Sequence, residues 1–277
     1  PLLKMTHFIG PYTFTDPALP EPRKQELAAW VLDQADRYGD EIGLHIHPYC
    51  HFVTTAGVTC NTTNSVVNDE DTSGYTIRLD SYSQAETAAL LTRADELFTQ
   101  YGLPLPRTFR AGGWTAGAAN LRALDAHGYV ADTSALNWAR LEEWDGIGNG
   151  ELYRWNMENW TPIGDTSQPY YPNNDVPTSS DAPTLAMLEV PDNGIMVDYV
   201  SVDEMVDIFA ANVAANDDSG GLAAPTVLMM GFHPAPNFSN DELQRLQGIL
   251  YHTDENAYGY DLGPVVYTTL RDLVPAF

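Results

Sequence analysis

Positive charge is scarce in this chain. Its 277 residues include 13 Lys and Arg against 38 Asp and Glu, which gives a formal net charge of −25. Lysine occurs only as Lys4 and Lys24. Nucleic acids and anionic membrane surfaces attract clustered cations, so this balance argues against both as partners. The acidic residues are spread along the chain, which is typical of a solvated surface in a salty or extracellular setting.

Long apolar runs are missing as well. No stretch approaches the roughly 20 residues that a membrane-spanning helix needs, so we expect no membrane span. The chain begins at Pro1 without a charged and apolar leader, and we expect any signal peptide to lie outside this sequence. A length of 277 residues suits a single catalytic domain over residues 1–277, and α/β barrels commonly reach this size.

Cysteine is limited to Cys50 and Cys60, which flank a loop rich in threonine and glycine. We predict a disulfide between them, which would fix the turn after a cluster of histidines. Two free buried thiols, or Cys50 as a metal ligand, are the alternatives. A disulfide implies an oxidising compartment, so the chain is expected to be secreted or extracytoplasmic.

Three of the seven histidines, His45, His47 and His51, lie within seven residues. The segment 42–46 is typical of a short buried strand that stops at Pro48. Residues two apart on a strand point to the same face, so His45 and His47 project together, and His51 could turn back toward them. Neutral imidazole is a good zinc ligand, and the cluster predicts a site for Zn2+ or another divalent metal. The alternative is that these are structural histidines of the core or a loop, whose hydrogen bonds are made within the protein.

Apolar strands alternate with amphipathic helices along most of the chain. Strands are predicted near residues 5–10, 42–46, 108–111, 129–132, 185–190 and 226–232. Three of the helices begin with a Ser-x-x-Glu capping box, at Ser83, Ser201 and Ser239. This alternation predicts an α/β fold with a parallel sheet, most simply curled into a barrel.

Polar residues follow several of these strands, where functional groups of such folds gather. Five such residues lie close to predicted strand ends: His45, His47, Arg110, Asp132 and His233.

From about residue 137 to 183 the alternation of strands and helices stops, and Trp and Tyr lie among Gly, Pro, Asn and Asp. We expect an irregular insertion there, whose rings either stack on sugar faces or cover the core.

Four segments resemble motifs of the polysaccharide deacetylases, the NodB-type carbohydrate esterases. They are Glu41-Ile42-Gly43-x-His45, Phe109-Arg110-Ala111-Gly112-Gly113-Trp114, Tyr129-Val130-Ala131-Asp132-Thr133-Ser134 and Met230-Gly231-Phe232-His233-Pro234. They are similar to the family's second to fifth motifs and follow its order over roughly residues 5 to 250. The resemblance implies a deformed (β/α) barrel with a divalent metal, usually zinc, that removes acetyl groups from oligo- or polysaccharides.

The chain departs from the family pattern twice. The family's His-x-x-x-His spacing would place Tyr49 in the second position counted from His45, whereas His47 and His51 keep the spacing but shift the motif by two. The first motif, Thr-Phe-Asp-Asp, supplies a metal-binding acid and the catalytic base on a strand that would precede residue 5. Residues 13–16 have the similar sequence Thr-Phe-Thr-Asp, but they follow the first predicted strand instead of preceding it. We therefore expect a missing first strand, or another acid in its role.

The resemblance also implies roles for single residues. His45 and His47 are the first choice as metal ligands because they share a strand face, with His51 as the alternate. His233 is expected to be the general acid, oriented by Asp132, while Arg110 holds a carboxylate. Trp114, Tyr49 and Trp138 are the expected substrate contacts. Purely structural roles are the alternative for each of these residues.

Two other readings of the sequence stay open. Amidohydrolase-type barrels also carry a His-x-His pair at a strand end, and would cleave amides or esters at one or two metals. A catalytically silent saccharide-binding barrel is the other, and the missing first motif favours it. Metal content together with acetate release distinguishes the three.

Overall fold

A parallel five-stranded sheet organises the computed structural model of the protein, and its strands lie side by side in chain order. The structure describes residues 3–67, 71–145, 150–218, 225–234 and 239–277. The strands are β1 (Thr6–Ile9), β2 (Glu41–Ile46), β3 (Thr108–Ala111), β4 (Ala131–Asp132) and β5 (Leu188–Glu189). The α/β prediction is therefore confirmed. Within the described residues the two edge strands, β1 and β5, are not paired, so the expected closed barrel is not found there.

Helices fill most of the connections between the strands. They are α1 (Tyr12–Thr15), α2 (Glu21–Tyr38), α3 (Cys50–Val53), α4 (Gln84–Gln100), α5 (Ala118–His127), α6 (Gly150–Asn159), α7 (Val202–Asp218), α8 (Asn240–Asp254) and α9 (Leu270–Leu273). All three predicted capping boxes are present, at Ser83, Ser201 and Ser239. None of the helices described is both long and apolar enough to cross a bilayer.

Alternate residues of the sheet point to opposite faces, which we call the helix face and the histidine face. The helix face carries Ile42, Leu44, Ile46, Phe109 and Ala111, which share one core cluster with α2, α4 and α5. Full burial of an aliphatic or aromatic side chain stabilises the fold by roughly 1.5–3 kcal/mol, so this face holds the sheet in place. The histidine face carries the intervening residues Gly43, His45 and Arg110.

Gly43 keeps the histidine face closely packed. A Cβ atom at this position would lie 2.8 Å from the Thr108 hydroxyl and 2.9 Å from the Phe8 ring. Both distances are shorter than van der Waals contact, so β2 and its neighbours can approach this closely only around a glycine. The Glu-Ile-Gly-x-His segment therefore combines a packing requirement with a functional candidate.

The predicted strand over residues 226–232 is wrong in detail. Among the described residues, this segment forms one bridge, between Gly231 and Met196. Several of its other backbone groups bind side chains, because Asn193 accepts from the Met229 amide and donates to the Val227 carbonyl, and Gln168 accepts from the Val227 amide. The predicted strand over residues 185–190 is likewise reduced to Leu188–Glu189.

The region 137–183 is more regular than expected, since it contains α6 and a 3-10 helix over Trp138–Trp144. Trp160 is fully buried, and Trp144, Tyr153 and Trp155 are at most 7% exposed. They belong to a second core cluster, so in this region the rings cover the core. That is the simpler of the two roles expected for them.

Candidate functional site

His45 and His47 lie at the carboxyl end of β2, with ring centroids 4.9 Å apart. Nδ1 of His45 is 2.8 Å from the Arg110 carbonyl oxygen, and Nδ1 of His47 is 2.9 Å from that of Tyr75. A carbonyl oxygen only accepts, so both rings must donate from Nδ1. In each neutral ring Nε2 then carries a lone pair. No described residue forms a hydrogen bond with either Nε2.

Burial keeps both imidazoles neutral. It lowers the pKa of His45 well below its ordinary value, and the neighbouring His47 adds to that effect. It lowers the pKa of His47 to about 4, and His233 contributes to the decrease. Neutral imidazole is the form that binds a metal ion, so the pair is in the ligating state at neutral pH.

His51 lies apart from this pair. Its Nδ1 is 2.9 Å from the Thr15 hydroxyl, and its ring stacks on Tyr49 at 5.1 Å. Four-residue spacing brings side chains together only along a continuous helix, but α3 begins at Cys50, after His47. The structure therefore does not bring His51 to His45 and His47.

The predicted disulfide between Cys50 and Cys60 is formed, with the two Cα atoms 5.1 Å apart. It closes the segment that begins with α3, three residues beyond His47. The loop after the histidine strand is thus covalently tied next to the site.

Arg110 is the register partner of His45 and is buried on the same face. Its Nη2 lies 3.0 Å from Asp192 Oδ2, which also accepts from Trp114 Nε1 at 2.8 Å. The guanidinium lies over the ring of Trp114, 5.9 Å from its centroid. The carboxylate that pairs with Arg110 is Asp192, through the single contact of Nη2 with Oδ2. The sequence offered a signal for it, an acid just beyond a predicted strand.

The carboxylate beside His233 is Asp198. Its Oδ2 lies 3.3 Å from His233 Nδ1 and also accepts from the His233 backbone amide at 3.2 Å. The His233 side chain is 50% exposed and that of Asp198 is 10% exposed. Burial is the main cause of the lowered pKa of His45 and of His47, and charge repulsion from His233 lowers both further.

Asp132, the expected partner of His233, lies on the helix face. It pairs in register with Phe109 on one side and with Glu189 on the other, and directly opposite residues share a face. Ser134 donates to Asp132 Oδ1 at 2.8 Å. Asp132 and Glu189 are fully buried neighbours. Burial raises the pKa of Asp132 to about 6 and that of Glu189 well above its ordinary value.

The three expected substrate contacts occupy different surroundings. Trp114 is only 5% exposed and forms a wall beside Arg110. Tyr49 packs among the rings of Tyr12, Tyr75 and His51. Trp138 donates to the Thr161 carbonyl within the second core cluster. Only Trp114 contacts the Arg110 and Asp192 pair.

Two non-glycine residues next to the Arg110 and Asp192 pair adopt left-handed backbone angles. Trp114 has φ +58° and Ile195 has φ +62°. Such conformations cost about 1–3 kcal/mol each and persist where the surrounding structure enforces them, often at functional sites. Here they place the Trp114 ring on Arg110 and turn the chain after Asp192.

The metal-binding capacity of the site rests on few ligands. Among the residues that the structure describes, no group of three or more His, Cys, Asp or Glu is arranged to hold an ion. His45 and His47 offer two nitrogen atoms, and His233 is a third imidazole nearby. The residues present therefore fit part of a zinc site.

No protein-family model and no curated protein matches the chain. Among solved structures it is similar to a candidate polysaccharide deacetylase from Mycobacterium smegmatis. The identity is 14% and the TM-score 0.47, over 95% of this chain and 74% of that one. A likeness this distant carries no argument about function.

Proposed function

We propose that the protein is a metal-dependent hydrolase that removes acetyl groups from saccharides, with His45 and His47 as two ligands of Zn2+ or a similar ion. The observation that carries the proposal is the pair of imidazoles, each fixed as the Nδ1–H tautomer by a backbone carbonyl. Metal-bound histidines usually donate their second ring N–H in this manner. The order of the motif-like segments favours deacetylation over other hydrolyses.

The residues around the pair suit hydrolysis. A bound ion would supply a water of lowered pKa and polarise the acetyl carbonyl. His233 is half exposed and its Nδ1 lies 3.3 Å from Asp198 Oδ2, so it is placed to act as the acid that protonates the leaving amine or alkoxide. Arg110 and Asp192 form a buried, hydrogen-bonded pair that fixes the wall of the site.

A saccharide substrate and an extracytoplasmic location complete the proposal. The acidic surface disfavours anionic polymers, while the Cys50–Cys60 disulfide is compatible with an oxidising compartment. The proposed substrate is thus a neutral or cationic acetylated oligosaccharide.

The test combines metal content with acetate release. We expect His45→Ala and His47→Ala each to lose most bound zinc and activity while keeping the wild-type circular dichroism. His51→Ala should keep its zinc, and so should the matched control His127→Ala, whose ring pairs with Asp95. Full zinc occupancy in both His45→Ala and His47→Ala would contradict the proposal.

A second variant series tests the proton donor. His233→Ala should retain zinc and fold but lower turnover by roughly a hundredfold, as loss of a general acid typically does. Loss of zinc in this variant would make His233 a ligand instead. Wild-type acetate release would contradict its role as the acid.

A saccharide-binding protein without catalysis is the second candidate. It is favoured by the lack of a three-ligand cluster among the described residues. Saccharide binding with neither zinc nor acetate release would support it, whereas zinc without acetate release would point to an amidohydrolase-type activity.

A further inference from the structure

A tight turn over residues 71–76, which we call the Asp71 turn, supplies the partner of His47. The Tyr75 carbonyl oxygen accepts from His47 Nδ1 at 2.9 Å, and the two rings lie 4.5 Å apart. The position of this carbonyl therefore decides which nitrogen of His47 carries the proton.

Asp71 holds the turn together through four hydrogen bonds. Its Oδ1 accepts from the Ser73 amide at 2.8 Å and the Ser73 hydroxyl at 2.7 Å. Its Oδ2 accepts from the Thr76 amide at 2.6 Å and the Thr76 hydroxyl at 2.8 Å. Hydrogen bonds to a carboxylate are roughly twice as strong as neutral ones, so one side chain fixes both ends of Ser73-Gly74-Tyr75-Thr76.

The turn is also locked against the segment that follows His47. The Cys50 amide donates to the Ser73 carbonyl at 2.7 Å. Gly74 has φ +84°, and a Cβ atom there would lie 2.3 Å from the Pro48 carbonyl oxygen. Only glycine allows this approach. The carbonyl of Tyr75 is thus placed relative to β2 by contacts with Pro48 and Cys50, which follow His47 in the chain.

We propose that Asp71 is a positioning residue for the metal site, because it sets the Nδ1–H tautomer of His47 through the Tyr75 carbonyl. Neutral histidine in water prefers the Nε2–H tautomer, which has no lone pair at Nε2 for a metal ion. Loosening the turn would release His47 toward that form. The inference rests on the proposed role of His47 as a ligand, but the tautomer itself can be measured without metal.

The first experiment is NMR of the metal-free protein with 15N-labelled histidine, in which long-range 1H–15N correlations distinguish the tautomers. We expect wild-type His47 to be Nδ1–H, and Asp71→Ala to show a mixture. His45, whose Nδ1 donates to Arg110, should stay Nδ1–H in both and serves as the internal control. Asp71→Asn, which keeps acceptor oxygen, should fall between wild type and Asp71→Ala.

A matched control and a second route to the same change accompany these variants. Asp125→Ala removes a carboxylate that accepts from two backbone amides elsewhere, those of Ala186 and Met187, and should leave His47 unchanged. Gly74→Ala displaces the turn without touching Asp71, and should shift the His47 tautomer in the same direction. If Asp71→Ala does not fold, Asp71→Asn and Gly74→Ala carry the test.

The second experiment is a zinc titration by calorimetry. Loss of the hydrogen-bond partner of a metal-binding histidine typically weakens metal affinity by about 10–100-fold. We expect a decrease of this size in the zinc affinity of Asp71→Ala. An unchanged His47 tautomer in Asp71→Ala and Gly74→Ala would overturn the inference. Failure of the wild type to bind zinc would instead count against the proposed function, while the NMR result still decides the role of Asp71.

Discussion

Replacing Asp132 by asparagine should make the protein less sensitive to rising pH. Asp132 and Glu189 are fully buried side by side, and at low pH both carboxyls are protonated. As the pH rises, Asp132 must ionise in a buried place next to Glu189, which costs free energy. Asparagine has nearly the same shape, cannot ionise, and has an amide that can donate to Glu189.

The size of the effect follows from the pKa of Asp132, which burial raises from 3.8 to about 6. Each unit corresponds to 1.36 kcal/mol, so the difference amounts to about 3 kcal/mol as an order of magnitude. Between about pH 4 and pH 6 the folded state binds more protons than the unfolded chain. The free energy of unfolding of the wild type therefore falls through this window and stays lower above it.

The assay is urea unfolding of the wild type and Asp132→Asn at several pH values from 4 to 8. The two proteins should be nearly equal at pH 4, and the variant should be more stable by up to about 3 kcal/mol at pH 7. Glu189→Gln should behave similarly, while Asp181→Asn, in an exposed loop, should follow the wild type. Parallel curves for the wild type and Asp132→Asn would refute the reasoning.

Three further expectations can be checked directly. Replacing Cys50 and Cys60 by serine should lower the free energy of unfolding by at most about 3 kcal/mol, because the closed loop is short. Urea unfolding measures this difference, and a larger loss would contradict the expectation. Trp160→Ala should cost about 3–5 kcal/mol by leaving a cavity in the second core cluster, which calorimetry would detect. Asp198→Asn should lower acetate release about tenfold with the melting temperature unchanged, since it removes only the partner of His233; wild-type rates would contradict this.

Local patterns predicted much of the fold. The capping boxes lie where their spacing placed them, because each depends on residues three apart. His45 and His47 share a face because strand alternation is also a local property. The disulfide joins two cysteines that had no other partner in the chain.

Register and loop geometry limited the prediction of the site. Asp132 ends a strand as expected, but its face depends on pairing with Phe109, which no local pattern reveals. Asp192 and Asp198 lie on the chain after β5, where their contacts depend on how that segment returns to the sheet. Tyr75 contributes through its backbone carbonyl, a group that every residue carries, so its sequence position gave no signal.

The two faces of β2 also separate chemistry from folding. Leu44 and Ile46 pack in the core cluster and hold the strand in place, whereas His45 and His47 are the residues of the proposed metal site. Successive residues of a strand point to opposite faces, so these two sets of side chains pack against different groups. A variant that exchanges both histidines should therefore lose the proposed hydrolytic activity and still fold with the same sheet. Conversely, insertion of a single residue into β2 would turn the histidines toward the helices and abolish both properties together.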